Sequence, residues 1–149
     1  MDERSETRAT AQRIARECVG ARIRMLNRKI SRIYDEAVRP HGIKFSQMNI
    51  LTMVALNEPV APVDLVRVLE LEKSTLSRNV ALMEANGWIE SLAGGGNRQL
   101  LRTTREGRRL LKRAAPDWKD AQARVESMLG RAVAQQIRTA ANQLATQDS

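Results

Sequence analysis

Apolar residues recur every three or four positions from Ile14 through Cys18, Val19, Ile23, Leu26, Ile30 and Ile33 to Tyr34, Ala37 and Val38. This spacing predicts one face of a long helix over residues 13–38, with arginines on the other face and Pro40 and Gly42 ending it. An uncharged run beginning at Phe45 and Ser46 and reaching Leu56 predicts a second helix, buried on most sides, with Ser46 as its N-cap and Glu58-Pro59 as its stop. A short third helix opens at Pro62, where proline suits the first helical position and Asp64 the positive end of the dipole, and turns Leu65, Val66 and Leu69 inward. After the tight connection Glu70-Leu71-Glu72, residues 73–86 carry Leu76, Val80 and Met83 on one stripe, and Gly87 closes that helix. Two helices joined by so short a turn form a helix-turn-helix.

Alternation then replaces helical spacing. Residues 88–92 and 99–103 predict two antiparallel strands, with Gly94-Gly95-Gly96 between them. Thr103 and Glu106 have capping-box spacing and Thr104 is an equally good cap, so a long helix opens there and carries Leu110, Ala114, Trp118, Ala121 and Val125. Pro116 is expected to kink this helix without ending it, and Gly130 to separate a last helix over residues 132–144. The predicted fold is mainly α: a winged helix-turn-helix with a two-stranded β-hairpin wing and flanking N- and C-terminal helices. Residues 1–149 are read as one fold, with a winged lobe at 45–107 and helical arms at 10–40 plus 108–146.

The glycine loop decides between two chemistries. A phosphate cradle needs its glycines to end a strand and open a helix. Here Asn97 and a second strand follow, no Gly-Lys-Ser/Thr ending is present, and Gln99 stands where a dinucleotide fingerprint needs its third glycine. The loop is therefore a hairpin tip. The sequence contains no His-Glu-x-x-His and no Gly-x-Ser-x-Gly, so an enzyme is not expected, and no cofactor is implied.

Composition narrows the partner. Lysine and arginine number 25 against 17 acids, with a pI near 10.7, and this excess favours a polyanion, nucleic acid before an anionic membrane. One cysteine and one histidine leave no disulfide and no zinc site of the usual nitrogen and sulfur type. The first residues have no apolar signal region, and the longest uncharged run, between Lys44 and Glu58, is short of the roughly 18 residues a membrane helix needs. The expectation is a soluble, cytoplasmic protein without a membrane partner.

With the apolar stripe of residues 73–86 facing the core, Lys73, Ser74, Thr75, Ser77, Arg78 and Asn79 face outward at the end of the helix that enters a major groove. Arginine can bond guanine bidentately, so Arg78 is the candidate for base readout. The wing supplies Arg98, for a minor groove or phosphates, while Ser46 and Arg102 are candidates for phosphate contact. The alternative for each is a helix cap or a solvated surface charge.

These elements resemble the multiple antibiotic resistance regulator (MarR) family over nearly the full chain. The resemblance is carried by residues 39–47, Leu65 to Leu71, Lys73 to Asn79, Gly87-Trp88-Ile89 and Thr104-Arg105-Glu106-Gly107. It implies an obligate homodimer clamped by the first helix and the last two, binding double-stranded DNA at a pseudo-palindromic operator with half-sites about 34 to 36 Å apart. Family members usually repress transcription and release DNA when a small ligand, often aromatic or phenolic, binds between the dimer arms and the DNA-binding lobe; others sense oxidants through a cysteine. The chain departs from the family at the wing. Gly95 stands where an acid is usual, Asn97 and Gln99 where arginines are usual, and Thr103 where a leucine is usual, so a less braced wing is expected.

Met25, Tyr34, His41, Met48, Leu51 and Met53 are candidates for an effector pocket, against the alternative that the methionines are ordinary core. Cys18 has Arg22 one turn later, where a cation would favour thiolate, against the alternative of a small buried hydrophobe. The functional expectation is a ligand-released, sequence-specific DNA-binding repressor. The alternatives are an architectural DNA-coating protein, an oxidant-sensing repressor using Cys18, and a helical protein-interaction module.

Overall fold

The computed structural model describes residues 2–147. The elements are α1 (Glu3–Glu17), α2 (Val19–Val38), a 3-10 turn (Arg39–His41), α3 (Phe45–Asn57), α4 (Pro62–Leu69), α5 (Lys73–Ala85), β1 (Ile89–Gly94), β2 (Arg98–Thr103), α6 (Arg105–Leu129) and α7 (Arg131–Gln147). The fold is mainly helical with a two-stranded antiparallel hairpin, the predicted class. The chain forms two compact units, residues 1–33 and residues 34–149. Among the described residues no helix is long and apolar enough to cross a membrane.

In the first unit the single helix expected over residues 13–38 is two. Helix α1 begins at Glu3, because Asp2 accepts a hydrogen bond from the Arg4 N–H and Glu3 and Glu6 suit the first turn. It stops at Cys18, whose backbone is extended, with φ −67° and ψ 106°. Two polar contacts secure the break: the Cys18 sulfur accepts from the Ala21 N–H at 3.4 Å, and Arg22 donates to the Ala15 carbonyl at 2.7 Å. Helical spacing passes through this point undisturbed, and only Val19 and Gly20, both poor helix formers, hint at it.

The second unit is built around Leu51, Val54, Leu65, Met83, Leu101 and Leu110, all almost wholly buried. Each such side chain contributes roughly 1.5–3 kcal/mol by leaving water. Helix α3 opens two residues earlier than an N-cap at Ser46 requires, with Lys44 at the N-cap position. Its first N–H groups are met by the Asp35 carboxylate, which accepts from Phe45 at 2.8 Å, and by Gln47, which accepts from Lys44 at 3.1 Å. Ser46 is thus inside the helix and exposed, and it is not the N-cap. Of the two threonines before α6, Thr104 is the cap, accepting from the Gly107 N–H at 3.0 Å, whereas Thr103 is buried. Helix α6 runs through Pro116 to Gly130, and α7 is longer at both ends than the sequence pattern predicts.

Both strands are longer than expected. Ile89 pairs with Thr103 and Gly94 with Arg98, so Gly94 belongs to β1 and only Gly95-Gly96-Asn97 turn the chain. Gly96 has φ +76°, the left-handed conformation that glycine adopts freely in a three-residue hairpin loop. Behind the hairpin, Val60 exchanges two backbone hydrogen bonds with Leu101, at 3.0 and 2.8 Å, which ties the wing to the α3–α4 connection.

Candidate nucleic-acid interface

Helix α4 ends on Glu70, whose left-handed backbone (φ 52°, ψ 43°) sends its N–H to the Val66 carbonyl and turns the chain into α5 within three residues. Leu76, Val80 and Met83 then fasten α5 to the core. Lys73, Ser74, Ser77 and Arg78 are left exposed along its amino-terminal half, as the apolar stripe requires. Thr75 and Asn79 are half-buried, and the Asn79 amide donates to the Thr75 carbonyl at 3.0 Å, so that side chain is engaged by its own helix. Glu72 stands at the N-cap position without a side-chain bond to the helix.

The wing stands beside α5. Arg98 is exposed where β2 leaves the turn, opposite Gly94. Bracing comes from a source absent from the sequence reading: Gln99 donates to the Ser91 hydroxyl at 2.6 Å, and that hydroxyl donates to the Glu84 carboxylate of α5. Arg102 is paired across the hairpin with Glu90 at 2.6 Å, so any phosphate it meets competes with that carboxylate. A cleft of about 530 Å³ lies between α4, α5 and the wing, lined by Pro62, Val63, Lys73, Ser77, Glu84 and Gln99.

The base of the wing is fixed by Glu58. Its carboxylate accepts from both the Thr103 N–H at 2.6 Å and the Thr103 hydroxyl at 2.7 Å, and Arg108 donates to the Thr103 carbonyl at 2.7 Å. Burial alone pushes the Glu58 carboxyl up. The two Thr103 hydrogen bonds, with the Arg108 and Arg102 guanidinium groups, outweigh it and hold the carboxyl below the usual range. Nothing in local spacing announces this contact, because Glu58 and Thr103 are 45 positions apart.

Five of the six effector-pocket candidates lie in the second unit. Met48 and Leu51 are in the core, and Met53 packs against it. Tyr34 stacks on Phe45, with ring centroids 4.4 Å apart, and donates to Gln122 of α6. Burial first, then the nearby Glu126 carboxylate, push the Tyr34 phenol up. His41 Nε2 lies 2.6 Å from an Asp117 oxygen, also on α6. Met25 belongs to the first unit and is exposed. Cys18 is half-buried at the α1–α2 break, and its neighbour Arg22 is spent on the Ala15 carbonyl.

The fold matches known proteins. Residues 41–99 match the model of the MarR family. The transcriptional regulator MosR of Mycobacterium tuberculosis, solved in complex with DNA, is 27% identical with a TM-score of 0.75, covering 87% of this chain and 98% of that one. Over residues 41–99, the winged lobe, the chain is similar to the MarR family. Among curated relatives, the multiple antibiotic resistance protein MarR of Escherichia coli K12 is 30% identical over 74 residues, 50% of this chain. The chain spans about half that relative's length, 51%. CouR of Rhodococcus jostii RHA1, solved bound to p-coumaroyl-CoA, shares the fold at 20% identity and a TM-score of 0.75, covering 87% of this chain and 92% of its own.

Proposed function

We propose that this chain is a MarR-type transcriptional repressor that binds duplex DNA as a homodimer, through α5 and the wing, at a pseudo-palindromic operator. The observation that carries the reading is the exposed row Lys73, Ser74, Ser77 and Arg78 on a helix whose other side is locked into the core. Such a helix can enter a major groove without unfolding anything, and the DNA-bound MosR has the same architecture. Arg98 reaches the backbone or minor groove from the wing, and Arg102 and Ser46 meet phosphates. A second copy covers the apolar faces that the chain leaves open, Ile23 and Leu26 on α2 and Val133 and Ile137 on α7. Release by a small aromatic or phenolic ligand is supported by the phenolic thioester bound to CouR.

The test is selection of duplexes from a random library, followed by affinity measurements on the selected site. Arg78→Ala should relax discrimination at one base pair per half-site by about 1 to 3 kcal/mol, while Arg98→Ala should weaken all sequences alike and reduce the salt slope. A specific-to-nonspecific ratio near one in the unaltered protein would instead identify a DNA-coating protein.

A further inference from the structure

Up to Tyr34, helix α2 carries charges of one sign only, and its two acids, Asp35 and Glu36, fall in its last turn. From Cys18 to Tyr34 there is no acid, while Arg22, Arg24, Arg28, Lys29 and Arg32 are all present. Arg24, Arg28 and Arg32 are four residues apart, so they lie on one ridge about 12 Å long and within about 80° around the helix. The apolar residues Val19, Ile23, Leu26, Ile30 and Ile33 centre on the opposite side, so covering that face leaves the ridge open. Arg24, Arg28, Lys29 and Arg32 are exposed, and among the described residues none of them has an ion-pair partner.

This arrangement opposes the helix that bears it. Like charges four residues apart destabilise a helix by about 0.2–0.5 kcal/mol per pair. Arg22 also sits in the first turn, at the positive end of the helix dipole, and the last turn, where cations are favoured, has no basic residue. A solvated surface of mixed sign would avoid both costs. A polyanion removes them.

We propose that the Arg24–Arg28–Arg32 ridge is a second nucleic-acid surface, holding the phosphate backbone of a duplex other than the one that α5 reads. A duplex presents one charge about every 1.7 Å of its axis, a dense anion row for guanidinium groups spaced about 6 Å apart. Guanidinium groups also bond phosphate oxygens in pairs, which favours arginine over lysine here. An anionic bilayer fits less well, since an interfacial helix inserts its apolar face with aromatic anchors, and residues 19–33 contain no Trp, Phe or Tyr.

The experiment is a sandwich capture with the full chain. A duplex is immobilised and saturated with protein, and a labelled duplex of random sequence is then added. The triple variant Arg24→Gln/Arg28→Gln/Arg32→Gln keeps residues that favour helix. It should lose capture of the second duplex by about tenfold or more, leave binding to the first duplex within about twofold, and make the logarithmic salt slope of capture shallower by about 2 to 3. Arg78→Ala should retain capture, so failure of the base-reading assignment is separable from failure of this one. Unchanged capture by the triple variant, or a parallel loss of first-duplex binding, overturns the ridge. So does ridge-dependent binding of phosphatidylserine vesicles without capture of a second duplex.

Discussion

Gly107 is the residue whose role is least visible in isolation. A Cβ built there would lie 2.0 Å from the Trp88 carbonyl oxygen, a backbone atom that cannot step aside without moving the hairpin. Thr104 N–H donates to that same carbonyl at 3.0 Å, so the start of α6 and the start of β1 are pressed together at one point. Gly107→Ala is therefore expected to cost about 3 kcal/mol or more, measured by urea denaturation, although alanine is the better helix former. An unchanged midpoint would mean that the two elements can separate freely. Glu58 makes a comparable argument with charge. Its carboxyl titrates lower in the folded chain than in the unfolded one, so the ionised form stabilises the fold above the unfolded value of about 4.3, and this contribution is lost as pH falls through the folded value. The stability gap between the natural protein and Glu58→Gln should accordingly be widest near about pH 6 and shrink below about pH 4. A gap that does not change with pH would reduce Glu58 to a neutral acceptor for Thr103.

At the scale of elements, α5 and the wing behave as one piece. The departure from the family pattern at Gly95 predicts a poorly braced wing, yet Ser91 accepts from Gln99 and donates to Glu84, joining β1, β2 and α5. The residue in place of a usual arginine is itself part of the brace. Ser91→Ala should quicken amide hydrogen exchange across residues 92–100, relative to α3, without a comparable loss of global stability. Equal exchange rates would show that backbone pairing alone holds the hairpin. The element boundaries divide by cause. Helices α4 and α5 and their turn were legible because their apolar positions and their stop signals are local. The break at Cys18 was not, since the contacts that secure it come from a sulfur and an arginine whose spacing also suits an unbroken helix. The start of α3 was misplaced for a similar reason: its cap is supplied by Asp35, ten positions earlier in the chain.

At the scale of the whole molecule, the exposed apolar residues require an account. Val19 and Ile23 are 68% and 59% exposed, and in the second unit Val133 and Ile137 are 42% and 44% exposed, so neither unit buries its terminal helices within itself. A second copy that covers α2 would bury Ile23 twice in a symmetric dimer, at roughly 1.5–3 kcal/mol per side chain. Ile23→Asp should then weaken self-association at least about tenfold in sedimentation equilibrium, and operator affinity with it. A variant that associates normally would exclude this face from the interface. By itself the sequence determined the class of fold, the order of its elements from α3 onward, the exposed Lys73, Ser74, Ser77 and Arg78 on α5 and the basic balance, because each depends on residue type and on spacing along one element. Tertiary structure alone decided what braces the wing, what anchors its base and why residue 107 is glycine. Those outcomes depend on atoms from distant positions meeting within a few ångströms, and spacing along a single element does not encode such meetings.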